Sequence, residues 1–201
     1  AVFANEVMCS VYSPAKSTPN LCYTYDFLTK IYPPSETDDR VDAWFDENIY
    51  STLDGAPKEI LKFENPDIYN DGGALTANAG NQVVFRLADA ILLYAEALAD
   101  LGTNDGKACE LLNRIRTRAG ASTLSLSGED LKDAIYWERV RELMGEGHYF
   151  YDLVRTGKVC DNNYCYHPVT RSEFREGAWT WPISKTAQEN NTLITLNNYW
   201  E

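Results

Sequence analysis

Positive charge is scarce in this sequence. Its 201 residues carry 18 lysines and arginines against 30 aspartates and glutamates, a net charge of −12. That balance excludes nucleic acid as a partner, because phosphates need a basic surface. Docking on anionic lipid heads is excluded for the same reason. No apolar run is long enough to span a bilayer. No glycine-rich phosphate loop occurs. Histidine is nearly absent: His148 and His167 are the whole supply, and neither joins a recognisable nucleophile, base and carboxylate set. No basic-then-apolar leader precedes Ala1. The opening AVFANEVMCSVYSP alternates apolar and polar residues without a cap, like the middle of a domain. The chain is therefore expected to be a fragment or a processed product.

What is present suits a folded domain. The apolar fraction is 44%, and the length allows one domain with a sizeable core, over residues 1–201. Aromatic rings are plentiful, with 13 tyrosines and 5 tryptophans. Of the five cysteines, Cys109 falls inside a helical pattern and is expected to be a small core residue. Cys160 and Cys165 bracket the short polar loop DNNY. Three states stay open for them: a disulfide, free thiols, or a metal pair with His167 that would still lack a fourth ligand.

Residues 1–80 read as irregular. Strand-like pieces fall at Val2–Tyr12 and Ile60–Phe63. A short helix is predicted from Thr24, which can cap it, to Tyr32 before the Pro33-Pro34 stop. Ser35–Arg40 reads as an acidic turn, and Pro57, Pro66 and YNDGGALTANAG mark loops.

Residues 81–158 carry a helical scaffold. A helix is predicted over Val84–Leu101, with Arg86, Asp89, Glu96 and Asp100 on one narrow polar stripe. A helix so apolar elsewhere is expected to be buried among neighbours. Ala88, Ala95 and Ala99 share a face that admits a close neighbour. A second helix runs from near Asp105 to Gly120, with a core stripe of Ala108, Leu112, Ile115 and Ala119. Arg114, Arg116 and Arg118 lie near its C-terminus, where the helix dipole favours cations. The short link between these helices makes them an antiparallel hairpin. A third helix starts at Ser127, with Asp130 completing a variant capping box, and runs to about Glu146. HYFYDLVRTGK can add one or two turns ending at Gly157. The fold class is therefore mainly α, a hairpin plus a long third helix in tetratricopeptide-like stacking, wrapped by irregular segments and a tail over 159–201.

Ordered sequence blocks carry a resemblance. RLADAILLYAEAL, LLNRIRTRAG, ERVRELMGEGHYFYDLVRTGK and WPISKTAQENNTLITLNNYW, with DDRVDAWF upstream, are similar to the C-terminal region of the SusD/RagB family. Departures are Ser184 and Asn191 in place of prolines, Gly145 in place of an aromatic, and Tyr149 in place of arginine. These proteins are outer-membrane nutrient-binding lipoproteins of Bacteroidetes. The resemblance implies non-catalytic capture of glycan or peptide at the cell surface. It also implies a partner, a TonB-dependent transporter of the SusC type. The lipid anchor and the tetratricopeptide-like first half of such proteins are not seen in this sequence. His148, inside the Glu-Gly-His block, is implied to be a structural hydrogen-bonding residue.

Candidate sites follow. Glu138 and Glu142 lie one turn apart on one helix, so they face the same way and cannot flank a scissile bond as glycosidase carboxylates do. They are expected to join an ion network with Arg139, Arg141 and Arg155 that ties the third helix to the Asp152 segment. The Asp38, Asp39 and Asp42 cluster, or Asp67 with Asp71, could hold calcium through oxygen ligands. Neither has recognised loop spacing, so no cofactor or metal is predicted. Sugar binding needs flat rings beside polar groups. Trp44, Tyr50 and Tyr69, with Asn70 nearby, are the predicted ligand-binding residues, and Tyr32 is a weaker choice alongside Tyr164 and Tyr166. Trp179 and Trp181 are expected to seal the tail against the helices. The predicted function is oligosaccharide capture for import. A helical module binding a partner protein is the alternative, and a glycoside hydrolase is a distant third.

Overall fold

Helices make up the regular structure. A computed structural model describes residues 23–45, 49–50, 62 and 83–201. Among these, only isolated bridge residues at Tyr23 and Phe45 depart from helix, turn and coil, so the expected mainly helical class holds. The strand-like reading at Val2–Tyr12 lies outside the described residues. So does that at Ile60–Phe63, apart from Lys62, which sits in a turn. The loops around Pro57, Pro66 and YNDGGALTANAG lie outside them too. No helix among the described residues is long and apolar enough to cross a membrane. The chain divides into two compact units, one ending at His148 and one beginning at Tyr149.

The first unit starts with α1, Tyr25–Ile31, and α2, Asp39–Trp44. Thr24 caps α1 by accepting from the Phe27 amide at 3.3 Å, as its position before the helical run predicts. Asp38 caps α2, accepting from the Arg40 amide at 3.1 Å. The hairpin is α3, Leu87–Leu101, and α4, Asp105–Arg118. Asn104 caps α4 by accepting from the Lys107 amide at 3.1 Å. Beyond α4, Gly120 takes a left-handed φ of 64°, as expected of its place past the helix end. The Asp39 amide donates to the Ala119 carbonyl at 2.8 Å, which fixes α2 at the C-terminal end of α4.

The third long helix, α5, spans Gly128–Glu142. The expected capping box is not made: the Ser127 side chain forms no cap hydrogen bond. Instead the Gly128 amide donates to the Asp105 carboxylate at 2.7 Å, so the first residue of α4 supplies the acceptor. The helix also stops before the expected Glu146. Gly145 and Gly147, at φ 77° and 83°, turn the chain in a conformation that no helix continues.

The core lies among α3, α4 and α5. Ala88, Ile91, Leu92, Ala95 and Ala99 of α3 meet Ala108, Leu111, Leu112 and Ile115 of α4, and Leu131 and Ile135 of α5. The predicted stripe of α4 is buried as read, and so is the alanine face of α3. Cys109 is buried and donates its thiol to the Leu124 carbonyl at 3.2 Å. One expectation fails. α3 is not covered on all sides: Leu87, Tyr94 and Leu101 are 67%, 53% and 71% exposed, while Asp89 of the supposed polar stripe is buried. Asp89 goes inward because Arg139 of α5 meets it at 2.8 Å.

The second unit holds α6, Tyr149–Arg155, a 3-10 turn at Lys158–Cys160, α7, Arg171–Glu176, and α8, Lys185–Asn190. Thr170 and Glu173 form a full capping box at the start of α7. Both former proline positions of the tail now supply turn hydrogen bonds. Ser184 caps α8 by accepting from the Ala187 amide at 3.2 Å. The Asn191 side chain accepts from the Leu193 amide at 3.1 Å. Trp200 returns over the end of α7, its indole donating to the Thr180 carbonyl at 3.1 Å.

Candidate functional site

Glu138, Glu142 and Glu146 recur at a spacing of one turn, so they emerge on one side of α5 and the turn beyond it. The neighbouring elements all deliver cations there. Arg40 on α2 reaches Glu138 at 2.8 Å and Glu142 at 3.0 Å, while Asp38 grips its other edge at 2.6 and 2.8 Å. Arg116, near the end of α4, reaches Glu138 at 3.1 Å, and Arg118 beside it pairs with Glu142. Arg141 closes on Glu138 at 3.0 Å from within α5. Arg86, at the start of α3, holds Glu146 at 2.7 and 2.8 Å and also pairs with Glu142. Lys62 pairs with Glu146 and donates to the carbonyls of Glu142 at 2.7 Å and Met144 at 3.0 Å.

The electrostatics follow from this packing. Burial alone would push the Glu138 carboxyl up; the guanidiniums of Arg141, Arg40 and Arg116 overcome that and hold it below the usual carboxylate range. Glu146 behaves likewise, with Arg86 and Lys62 outweighing its burial. Burial pulls the Lys62 ammonium down to about 8, against the opposing pull of Glu146. A general acid needs a carboxyl whose pKa is raised toward the working pH. The carboxyls of Glu138 and Glu146 are buried, shifted the other way and surrounded by cations. The cluster joins helices, and these two carboxyls lack the raised pKa of a general acid.

Sequence reasoning placed a network here. Arg141 takes part in it through Glu138 at 3.0 Å, while Arg139 meets Asp89 at 2.8 Å and Arg155 meets Asp152 on its own helix at 2.8 Å. Arg116 and Arg118 lie in the last turn of α4 as read. Their side chains also cross to α5, and the Arg116 Nε donates to the Ser122 carbonyl at 2.7 Å. Arg40 and Arg86 are distant in sequence and gave no local signal of this role.

The aromatic candidates part ways. Tyr32 is 2% exposed, its hydroxyl donates to the Arg141 carbonyl at 3.2 Å, and its ring packs edge-on against Phe45. It is a core residue, and no ligand can stack on it. Trp44 is half-buried, with the Lys62 ammonium 4.1 Å from its ring centre. Tyr50 is half-buried. Tyr69 and Asn70 lie outside the described residues, as do Asp67 and Asp71. Asp38 of the acidic cluster is taken up by Arg40. Among the described residues no group of histidine, cysteine and carboxylate side chains is arranged to hold a metal ion. In the second unit Tyr166 and Trp181 are 87% and 74% exposed. Trp200, within the same unit, donates to Thr180 at 3.1 Å. Trp179 does pack, 6.3 Å from the Phe174 ring. Cys160 and Cys165 are both half-buried free thiols.

Comparison with known proteins places these elements. The model of the SusD family matches residues 58–200. A SusD-like protein of Formosa agariphila is 38% identical over 107 residues, covering 51% of this chain and 20% of that protein. The crystal structure of a SusD homolog from Bacteroides thetaiotaomicron is 61% identical with a TM-score of 0.83, covering 93% of this chain and 40% of the other. The surface glycan-binding protein A from Bacteroides uniformis shares the fold at a TM-score of 0.57 and 22% identity, over 87% of this chain and 40% of that one. The match thus spans a fifth of the Formosa relative's length and two fifths of the Bacteroides homolog's.

Proposed function

This chain belongs to the SusD family, and from that premise we propose that it serves in the non-catalytic capture of oligosaccharide at the bacterial cell surface. The observation that carries the reading is the family match over residues 58–200, which takes in all three long helices. The ionic cluster supports the non-catalytic half of it, since the paired carboxylates of α5 are neutralised and buried. The captured glycan passes to a TonB-dependent, SusC-like transporter in the outer membrane. Trp44, Tyr50 and Tyr69, with Asn70, form the proposed ring platform, and the exposed Tyr166 and Trp181 offer further stacking faces.

Affinity electrophoresis through gels containing polysaccharides tests this, using the full-length protein. Retardation by at least one glycan is expected. Trp44→Ala, Tyr50→Ala or Tyr69→Ala should weaken it by roughly two- to thirteenfold, the worth of about 0.5–1.5 kcal/mol for a stacked ring. Retention by no glycan, or release of free sugar, would count against the reading.

A second reading has its own observation. Leu87, Tyr94 and Leu101 leave an apolar stripe on α3, which suits a module that binds a partner protein. Pull-down with the transporter, before and after Tyr94→Asp and Leu101→Asp, decides it: loss of capture with glycan binding intact would favour this reading.

A further inference from the structure

The turn between Cys160 and Cys165 closes on itself, and the network described above makes no use of either thiol. Asp161 organises it: its carbonyl accepts from the Tyr164 amide at 3.1 Å and the Cys165 amide at 2.9 Å, and its side chain accepts from the Asn163 amide at 2.8 Å. The Asp161–Cys165 bond is an i→i+4 contact, so it holds Cys165 one turn from the residue that follows Cys160. Cys160 adjoins one end of that turn and Cys165 is the other. The chain leaving the turn runs back beside the chain entering it, since the Val169 amide donates to the Val159 carbonyl at 3.2 Å.

The turn is pinned from outside as well. The Tyr149 hydroxyl donates to the Tyr164 carbonyl at 2.8 Å. The Lys158 ammonium lies 3.6 Å from the Tyr164 ring centre. Burial pushes the Tyr149 hydroxyl up to about 12, and the neighbouring charge of a Cys165 thiolate adds to that, which places the thiol close to this anchor. Both cysteines are half-buried, whereas Cys109 is enclosed in the core.

We propose that Cys160 and Cys165 are a modification site, a dithiol that oxidation converts to an intramolecular disulfide across the Asp161–Tyr164 turn. With glutathione disulfide as oxidant, one protein thiolate attacks a glutathione sulfur, forming a mixed disulfide and releasing one glutathione. The second protein thiol attacks the protein sulfur of that mixed disulfide and releases the other glutathione. The two protein thiols lose two electrons and two protons. One glutathione disulfide is reduced to two glutathione thiols.

The test uses the full chain with glutathione disulfide, alkylation of remaining thiols and peptide mapping. The expected product links Cys160 to Cys165 and leaves Cys109 alkylated only after denaturation. On this proposal the folded turn holds the two thiols together, so the link should form at least about tenfold faster in the folded chain than in urea. Cys165→Ser should trap glutathione on Cys160, an adduct the unaltered chain resolves. Recovery of both cysteines alkylated, pairing of either with another cysteine, or closure no faster than in urea would each overturn the proposal.

Discussion

Glu138→Gln removes one charge from the ionic cluster and keeps the shape of the side chain. Glu138 is fully buried, and it faces Arg40 at 2.8 Å, Arg141 at 3.0 Å and Arg116 at 3.1 Å. After the change Arg40 keeps Asp38 and Glu142. Arg116 keeps the Ser122 carbonyl and a half-exposed Glu36 at 3.6 Å. Arg141 keeps only the Ile31 carbonyl at 3.1 Å among the bonds described. Removing one partner of a buried pair costs about 3–5 kcal/mol, because a buried charge is left behind. The partial compensation here sets the expectation near the lower end, about 3 kcal/mol. For a chain of this size each kcal/mol moves the midpoint by about 2–4 °C, so Tm should fall by roughly 6–12 °C.

The pH dependence supplies a second arm. The folded-state pKa of Glu138 lies below its unfolded value. Its contribution is therefore present above the unfolded pKa of about 4.3 and is lost as pH falls through the folded value. Urea unfolding followed by circular dichroism should show a gap of about 3 kcal/mol at pH 7 that shrinks below about pH 4. A gap under about 1 kcal/mol at pH 7, or one unchanged in acid, would refute the account of the cluster as a stabilising joint.

Other substitutions probe single contacts. Leu112→Ala, at a fully buried position between α3 and α5, should cost about 2–5 kcal/mol in urea unfolding. Gly177→Ala should cost about 2–4 kcal/mol and speed proteolytic release of the tail. Its φ is 101°, and a Cβ there would sit 2.3 Å from the Asn197 amide nitrogen, which is bonded to Thr180 at 2.6 Å. Gly102→Ala, with φ 61° and open space around it, serves as the milder control at about 1–2 kcal/mol. Tyr32→Phe should cost about 1 kcal/mol through its lost hydrogen bond and leave glycan affinity unchanged, as befits a core ring.

The hairpin and the third helix were legible because their signals are local. Apolar spacing, Thr24 before Tyr25 and Gly120 after Arg118 act within a turn or two of the chain, and all appear where expected. What escaped was long-range. Nothing near Glu138 announces Arg40, which lies 102 residues from Glu142, the other carboxylate it grips. Ser127 and Asp130 had the spacing of a cap, yet the Gly128 amide chose Asp105, an acceptor visible only once α4 and α5 are packed. The bare side of α3 was equally hidden. Composition shows that a helix is apolar, and only packing shows which of its sides meets a neighbour.

The same distinction bears on function. The blocks most visible in the sequence, NRIRTRAG and ERVRELMGEGH, supply the joint: Arg116, Arg118 and Arg141 are spent on Glu138 and Glu142. A side chain enclosed in such a network has no free atom to offer a ligand, so recognisability and binding reside in different residues. On the proposed reading, cargo is met by groups that the fold holds outward. Tyr32 shows the difference within one residue type: it was a weaker candidate from the sequence, and packing against Phe45 removed it. Tyr166, rated level with it, is 87% exposed. A scan replacing exposed rings of the second unit with alanine should therefore change glycan retention without moving Tm by more than about 2 °C, as surface substitutions do. Equal losses of stability and binding at those positions would mean that the rings hold the fold and the cargo is met elsewhere.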